Sequence, residues 1–88
     1  STMSNLSREQ IYDDVIRTIA EVAECDLAEL NGRTELIADL GLDSLMIFEI
    51  VIELEEKFDL RISDEEVDQI KTINQAVDFV LQELVVEK

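Results

Sequence analysis

Apolar residues return every three or four positions in several stretches of this chain, and nowhere do they alternate with polar ones as a half-buried strand requires. Ile11, Val15, Ile19 and Val22 line one face of a predicted helix that runs to about Ala23. Ser7-Arg8-Glu9-Gln10 reads as its capping box, with Leu6 and Ile11 placed as a hydrophobic staple. Residues 24–43 form a long connection, in which Leu27, Leu30, Leu36, Ile37, Leu40 and Leu42 are expected to wrap the core. A second helix is predicted from Ser44 to about Phe58. A short third one starts at Ser63, where Glu66 completes another capping box. Thr72 and Gln75 open a fourth, whose Ile73, Val77, Val80, Leu81 and Leu84 face inward. The chain has no proline, and only Gly32 and Gly41 break the pattern. The expected fold is therefore all-α: a small four-helix bundle with a long first connection and a short third helix. It is expected to occupy residues 7–86, behind a disordered segment 1–6 in which Ser1-Thr2 before Met3 resembles a tag remnant.

The second helix carries two apolar faces. At about 100° per residue, Ile47, Val51, Leu54 and Phe58 form a core stripe with Ile50 at its margin. Leu45, Phe48 and Ile52 fall on a different arc, next to the Ser44 direction. Glu49, Glu53 and Glu56 lie further outward, with Met46 expected among them. Such an arrangement suits docking, because apolar side chains supply desolvation and acidic ones steer basic partners. In Gly41-Leu42-Asp43-Ser44-Leu45, Gly41 allows a tight turn and Asp43 or Ser44 can cap the helix. A phosphate on Ser44 would meet the free N–H groups and positive dipole end of that helix.

Composition narrows the chemistry. The 88 residues suit a single small domain, and 47% are apolar, enough for a core. A formal net charge of -15, from 22 acidic and 7 basic residues, makes nucleic acid and anionic membranes poor partners and basic protein patches good ones. No apolar run has the length of a membrane span, and a cytoplasmic location is expected. Cys25 is the only cysteine, which excludes an intrachain disulfide, and packing is its expected role. With no histidine, neither a Ser-His-Asp nor a Cys-His arrangement can form, so no catalytic residues are assigned and no enzyme is expected. No metal ligands are assigned either. Asp64-Glu65-Glu66 with Asp68 lacks the spacing and glycine of a calcium loop and reads as a solvated helix start.

Taken with the segment Leu54-Glu55-Glu56-Lys57-Phe58-Asp59, with Glu49 and Ile62, and with Ser63-Asp64-Glu65-Glu66, the Gly41–Leu45 motif resembles that of the acyl carrier proteins. The resemblance spans Ile11 to Leu84. It implies that a phosphopantetheinyl transferase attaches 4'-phosphopantetheine, donated by coenzyme A, to the Ser44 hydroxyl, with Asp43 and Leu45 beside it. The arm's thiol would then hold acyl groups as thioesters for fatty-acid, polyketide or related lipid synthesis. The partners implied are that transferase and acyl-loading and acyl-transfer enzymes with basic docking patches, met by a monomer. Asp43, Leu45, Glu49, Ile52 and Glu56, with Asp64 and Glu65, match positions where such carriers meet their enzymes. Met46 and Phe48 join that surface from the helical pattern. Leu36, Val51, Leu54, Ile62, Val67 and Ile70 match the interior that shelters a short acyl chain in many relatives.

The chain also departs from the fatty-acid pattern. After Asp43-Ser44-Leu45, Met46 and Ile47 stand where such carriers have an acidic and then a polar residue, and Phe48 is larger than the usual β-branched one. These changes point to a specialised carrier. A carrier of amino acids such as D-alanine, or of peptide intermediates, is a close variant that the strong acidity disfavours. An acidic helical adaptor without a prosthetic group is the alternative from a different class.

Overall fold

The computed structural model describes residues 7–86. Four helices follow one another: α1 Arg8–Ala23, α2 Ser44–Phe58, α3 Asp64–Gln69 and α4 Ile73–Val86, with a single 3-10 turn, Leu27–Glu29, inside the first connection. No strand occurs among the described residues; Glu35 and Thr72 make one isolated antiparallel bridge. The expected staple and the expected disorder of residues 1–6 lie outside the described residues.

Three helices begin at the capping pairs that the sequence spells out. The Ser7 hydroxyl accepts from the Gln10 N–H at 3.2 Å, and the Gln10 side chain accepts from the Ser7 N–H at 3.0 Å. Ser63 and Glu66 repeat the exchange at α3, as do Thr72 and Gln75 at α4. Each pair satisfies two backbone donors that a helix start otherwise leaves unpartnered, worth about 1 kcal/mol per cap. Both α1 and α2 end on a left-handed residue, Glu24 at φ 57° and Asp59 at φ 55°. Their backbone N–H groups return to carbonyls of the last turn and stop the helix.

The core is a seam. α1 packs against both α4 and α2. Ile11, Val15, Ile19, Ile73, Val77 and Val80 are wholly buried, and Phe58 of α2 is almost so. Thr18 is buried as well. Its hydroxyl donates to the Asp14 carbonyl at 2.8 Å and accepts from the Lys57 ammonium at 3.0 Å, tying α2 to α1. Arg8 pairs with Asp78 across α1 and α4, the one ion pair among the described residues. α3 buries none of its residues fully and leans on the bundle through half-buried Val67.

The long connection covers the core through fewer side chains than its pattern suggests. Leu30, Leu36 and Leu42 are buried and Leu40 is half-buried, but Leu27 is 45% exposed and Ile37 67% exposed. Backbone bonds hold this segment down and decide which residues turn in. The Leu36 N–H donates to the Lys71 carbonyl at 2.9 Å, that of Ile73 to Thr34 at 3.2 Å and that of Asn74 to Gly32 at 2.8 Å. Residues 32–36 are thereby strapped to the α3–α4 junction, with Leu36 facing in and its neighbour Ile37 facing out. A Cβ at Gly32 would lie 2.3 Å from the Asn74 side-chain oxygen, so the end of that side chain would have to turn aside.

Candidate functional site around Ser44

The approach to α2 is a left-handed turn at Gly41, φ +67°, whose N–H donates to the Ile37 carbonyl at 2.9 Å. A residue with a Cβ is strained in that conformation. Asp43, extended at φ −94° and ψ 179°, makes the N-cap: its carboxylate accepts from the Met46 N–H at 2.9 Å. The sequence left the cap open between Asp43 and Ser44, and the structure gives it to Asp43. Ser44 becomes the first residue of the helix, exposed, with its hydroxyl not spent on capping. A phosphate on that oxygen gains roughly 0.3–1 kcal/mol from the helix field.

Around Ser44 the predicted docking residues are at the surface. Leu45 is 67% exposed, Phe48 55% and Ile52 40%, on the arc of α2 that the helical pattern assigned to them. Asp43, Glu49 and Glu56 are exposed along the same helix, and Asp64 and Glu65 at the first turn of α3. Met46 departs from its expected place among the carboxylates. It is half-buried and packs on the core, because it sits one helical turn before buried Ile50 and shares that face.

Two spaces adjoin these residues. A surface groove of about 580 Å³ is bounded by Ser44, Ile47 and Phe48 of α2, by residues 35–38 of the connection, and by Asp64, Val67, Asp68, Ile70 and Lys71. Beneath it, Leu36, Val51, Leu54, Ile62, Val67 and Ile70 converge on one interior cavity, together with Ile47, Ile50 and Ala76. That cavity measures about 20 Å³, room for about one water molecule. The Ile62 N–H at its edge donates to the Glu55 carboxylate at 2.9 Å, which fixes the α2–α3 turn. Glu35, Ile37, Ala38, Asp68 and Lys71 are groove residues that sequence reasoning assigned to no site. The period of α2 signals a second apolar face, but a connection without a period does not say which of its leucines and isoleucines stay outside.

Neither other candidate forms a site. Cys25 is half-buried against the core, and its thiol is raised above the ordinary value by burial and by the nearby Glu29 and Asp26. Among the described residues no cluster of carboxylates or thiols is placed to hold a metal ion.

A small all-α bundle with an exposed serine opening its second helix is the form of a prosthetic-group carrier, and comparison with known proteins gives the family. The family model for the phosphopantetheine attachment site matches residues 13–80. An acyl carrier protein from an Exiguobacterium species is 36% identical over 75 residues, covering 85% of this chain and 95% of its own. One from Cyanidioschyzon merolae is 39% identical over 77 residues, covering 88% and 85%. The solution structure of the apo doublet acyl carrier protein from prodigiosin biosynthesis superposes with a TM-score of 0.73 at 32% identity over 84% of this chain. This chain spans 36% of that longer one. The chain thus belongs to the phosphopantetheine attachment family, as an acyl carrier protein. Its prosthetic group is 4'-phosphopantetheine, and an exposed alcohol at a helix N-terminus, lining a surface groove, fits that group. An adaptor without a prosthetic group is not favoured.

Proposed function

We propose that the Ser44 oxygen is the attachment point and that the chain presents acyl groups to a succession of enzymes without catalysing any step itself. The reading is carried by one observation. Ser44 is the exposed first residue of α2, while its neighbour Asp43 takes the cap. In attachment, the serine oxygen bonds to the phosphorus beside the pantetheine half of coenzyme A. The pyrophosphate link breaks, the nucleotide half leaves, and the hydroxyl proton passes to a base on the transferase. When bound, the group supplies a terminal thiol that holds the acyl chain as a thioester.

The chain's own residues orient and steer. The N–H groups of Ser44 and Leu45, which the Asp43 cap leaves free, would face a phosphodiester on Ser44, and Gly41 holds the turn that leads into them. Leu45, Phe48 and Ile52 offer apolar surface to the enzyme, with Asp43, Glu49, Glu56, Asp64 and Glu65 as an acidic rim. The partners are a phosphopantetheinyl transferase and acyl-loading and acyl-transfer enzymes with basic patches, of fatty-acid, polyketide or related synthesis. A reducing compartment such as the cytoplasm fits the free Cys25. No described helix is long and apolar enough to cross a membrane.

Incubation with coenzyme A and a broad transferase should add the mass of one phosphopantetheinyl group to the intact chain, and Ser44→Ala should gain nothing. An unchanged wild-type mass, under conditions that load a control carrier, would refute the attachment.

A further inference from the structure

A second groove lies on the other side of the exposed α2 arc, where α2 packs against the end of α1. It measures about 410 Å³ and is lined by Glu21, Val22 and Glu24 from the α1 end and by Glu49, Ile52 and Glu53 of α2. Half-buried Val22 and the 40% exposed Ile52 are its apolar part, and all four glutamates are exposed. No base lines it. Lys57, the one base on α2, turns its ammonium to the Thr18 hydroxyl at 3.0 Å, and none of the four glutamates enters an ion pair among the described residues. Carboxylates gathered in this way repel one another until a cation comes between them, and Ile52 gains from cover.

Position and charge together say what covers it. On the reading that the arm is attached at Ser44, the transferase must seat on the polypeptide itself, because its reacting atom is the Ser44 oxygen. Later enzymes meet a thiol at the far end of the arm. A stable interface buries about 800 Å² on each partner, a patch that passes well beyond Ile52, which lies about 12 Å along the helix from Ser44. The groove shares Glu49 and Ile52 with the docking arc, so such a patch runs into it without a break. We infer that the transferase's footprint crosses α2 onto the end of α1, and that this groove takes a segment of that enzyme with basic side chains on either side of an apolar one. Val22 and Ile52 meet the apolar side chain. Glu21 and Glu24 receive its bases from one wall, and Glu49 and Glu53 from the other. The α1 end thereby adds to binding and has no part in the chemistry at Ser44.

Loading of the full chain by a broad transferase with coenzyme A, followed by intact mass over a range of carrier concentrations, tests this. Glu21→Lys/Glu24→Lys should raise the carrier's KM roughly tenfold at low salt and leave kcat unchanged. Glu9→Lys/Asp13→Lys makes the same change in net charge at exposed positions toward the other end of α1, and should move KM by less than about twofold. The gap between the two pairs should close as salt is raised from about 0.05 to about 0.5 M. Equal rises for both pairs would reduce the effect to the overall field and overturn the groove. An unchanged KM, a loss confined to kcat or a gap that persists in salt would overturn it too. If the reversals lower the denaturant midpoint, Glu21→Gln/Glu24→Gln carries the test, with a rise of about threefold expected. A wild-type chain that gains no mass overturns the attachment itself, which separates that failure from these.

Discussion

The α1–α4 seam and the α2–α3 face use similar residues to opposite ends. Along the seam, Ile11, Val15, Ile19, Ile73, Val77 and Val80 are withdrawn from water completely, and Arg8–Asp78 bridges its outer edge. On the other face Ile37, Leu45, Phe48 and Ile52 stay in solvent, α3 buries nothing fully, and a groove opens beside Ser44. α2 belongs to both regions. Its Val51, Leu54 and Phe58 join the core, while its other apolar arc is left uncovered. The lesson is a division of labour within one small domain. The α1–α4 pair holds the wholly buried side chains, while the remaining face keeps apolar surface in solvent, the surface proposed above for docking.

That division can be broken from the seam side first. Phe58→Ala removes an almost wholly buried ring and should cost about 3–5 kcal/mol, seen as a drop in the denaturant midpoint without a change in slope. If the loss were below about 1 kcal/mol, α2 would not share the core as described. Gly32→Ala strikes the strap between the regions. Its Cβ would push the end of the Asn74 side chain aside, and a loss of about 1–2 kcal/mol is expected, with faster amide exchange at Leu36 and Asn74.

A smaller effect sharpens the comparison at α3. Ser63→Ala removes the cap of a six-residue helix, worth about 1 kcal/mol. Amide protection should fall at Glu66 and Val67 and persist along α1 and α4. Loss of protection everywhere would show that α3 is not the separable part. Leu45→Ala, on the exposed arc, should change stability by less than about 0.5 kcal/mol yet slow loading by the transferase, whereas an unchanged loading rate would remove Leu45 from the docking surface.

The least disturbance is expected at Cys25. Its thiol is raised, so at pH 7 the reactive thiolate is scarcer than in a free cysteine. Labelling by a thiol reagent should therefore be slower in the folded chain than in urea, and the folded rate should go on climbing above the pH at which the unfolded rate levels off. Equal rates at pH 7 would show that folding does not protect this sulfur.

Local chemistry was legible from the residues alone. The three capping pairs, the end of α2 at Phe58 and the exposed arc of Leu45, Phe48 and Ile52 all follow from side-chain type and helical period, and each involves residues a turn or two apart. Met46 was within reach of the same reasoning, since its spacing from Ile50 places it on the buried face. Ile37 and Leu27 were not. They lie in a segment without a period, where the inward choice belongs to contacts with residues far along the chain.

What the sequence determined by itself is therefore the number of helices and where each begins, the serine at the start of α2, and the family that this motif marks. Hydrogen bonds and periodicity over three or four residues suffice for the helices, and the family follows from the motif's resemblance to that of known carriers. The tertiary structure decided how the connection lies on the bundle. Bonds from residues 32–36 to the α3–α4 junction turn Leu36 inward and Ile37 outward. They leave a wide groove outside and a cavity no larger than a water molecule within. Those spaces depend on distances between segments more than thirty residues apart, which no local pattern encodes.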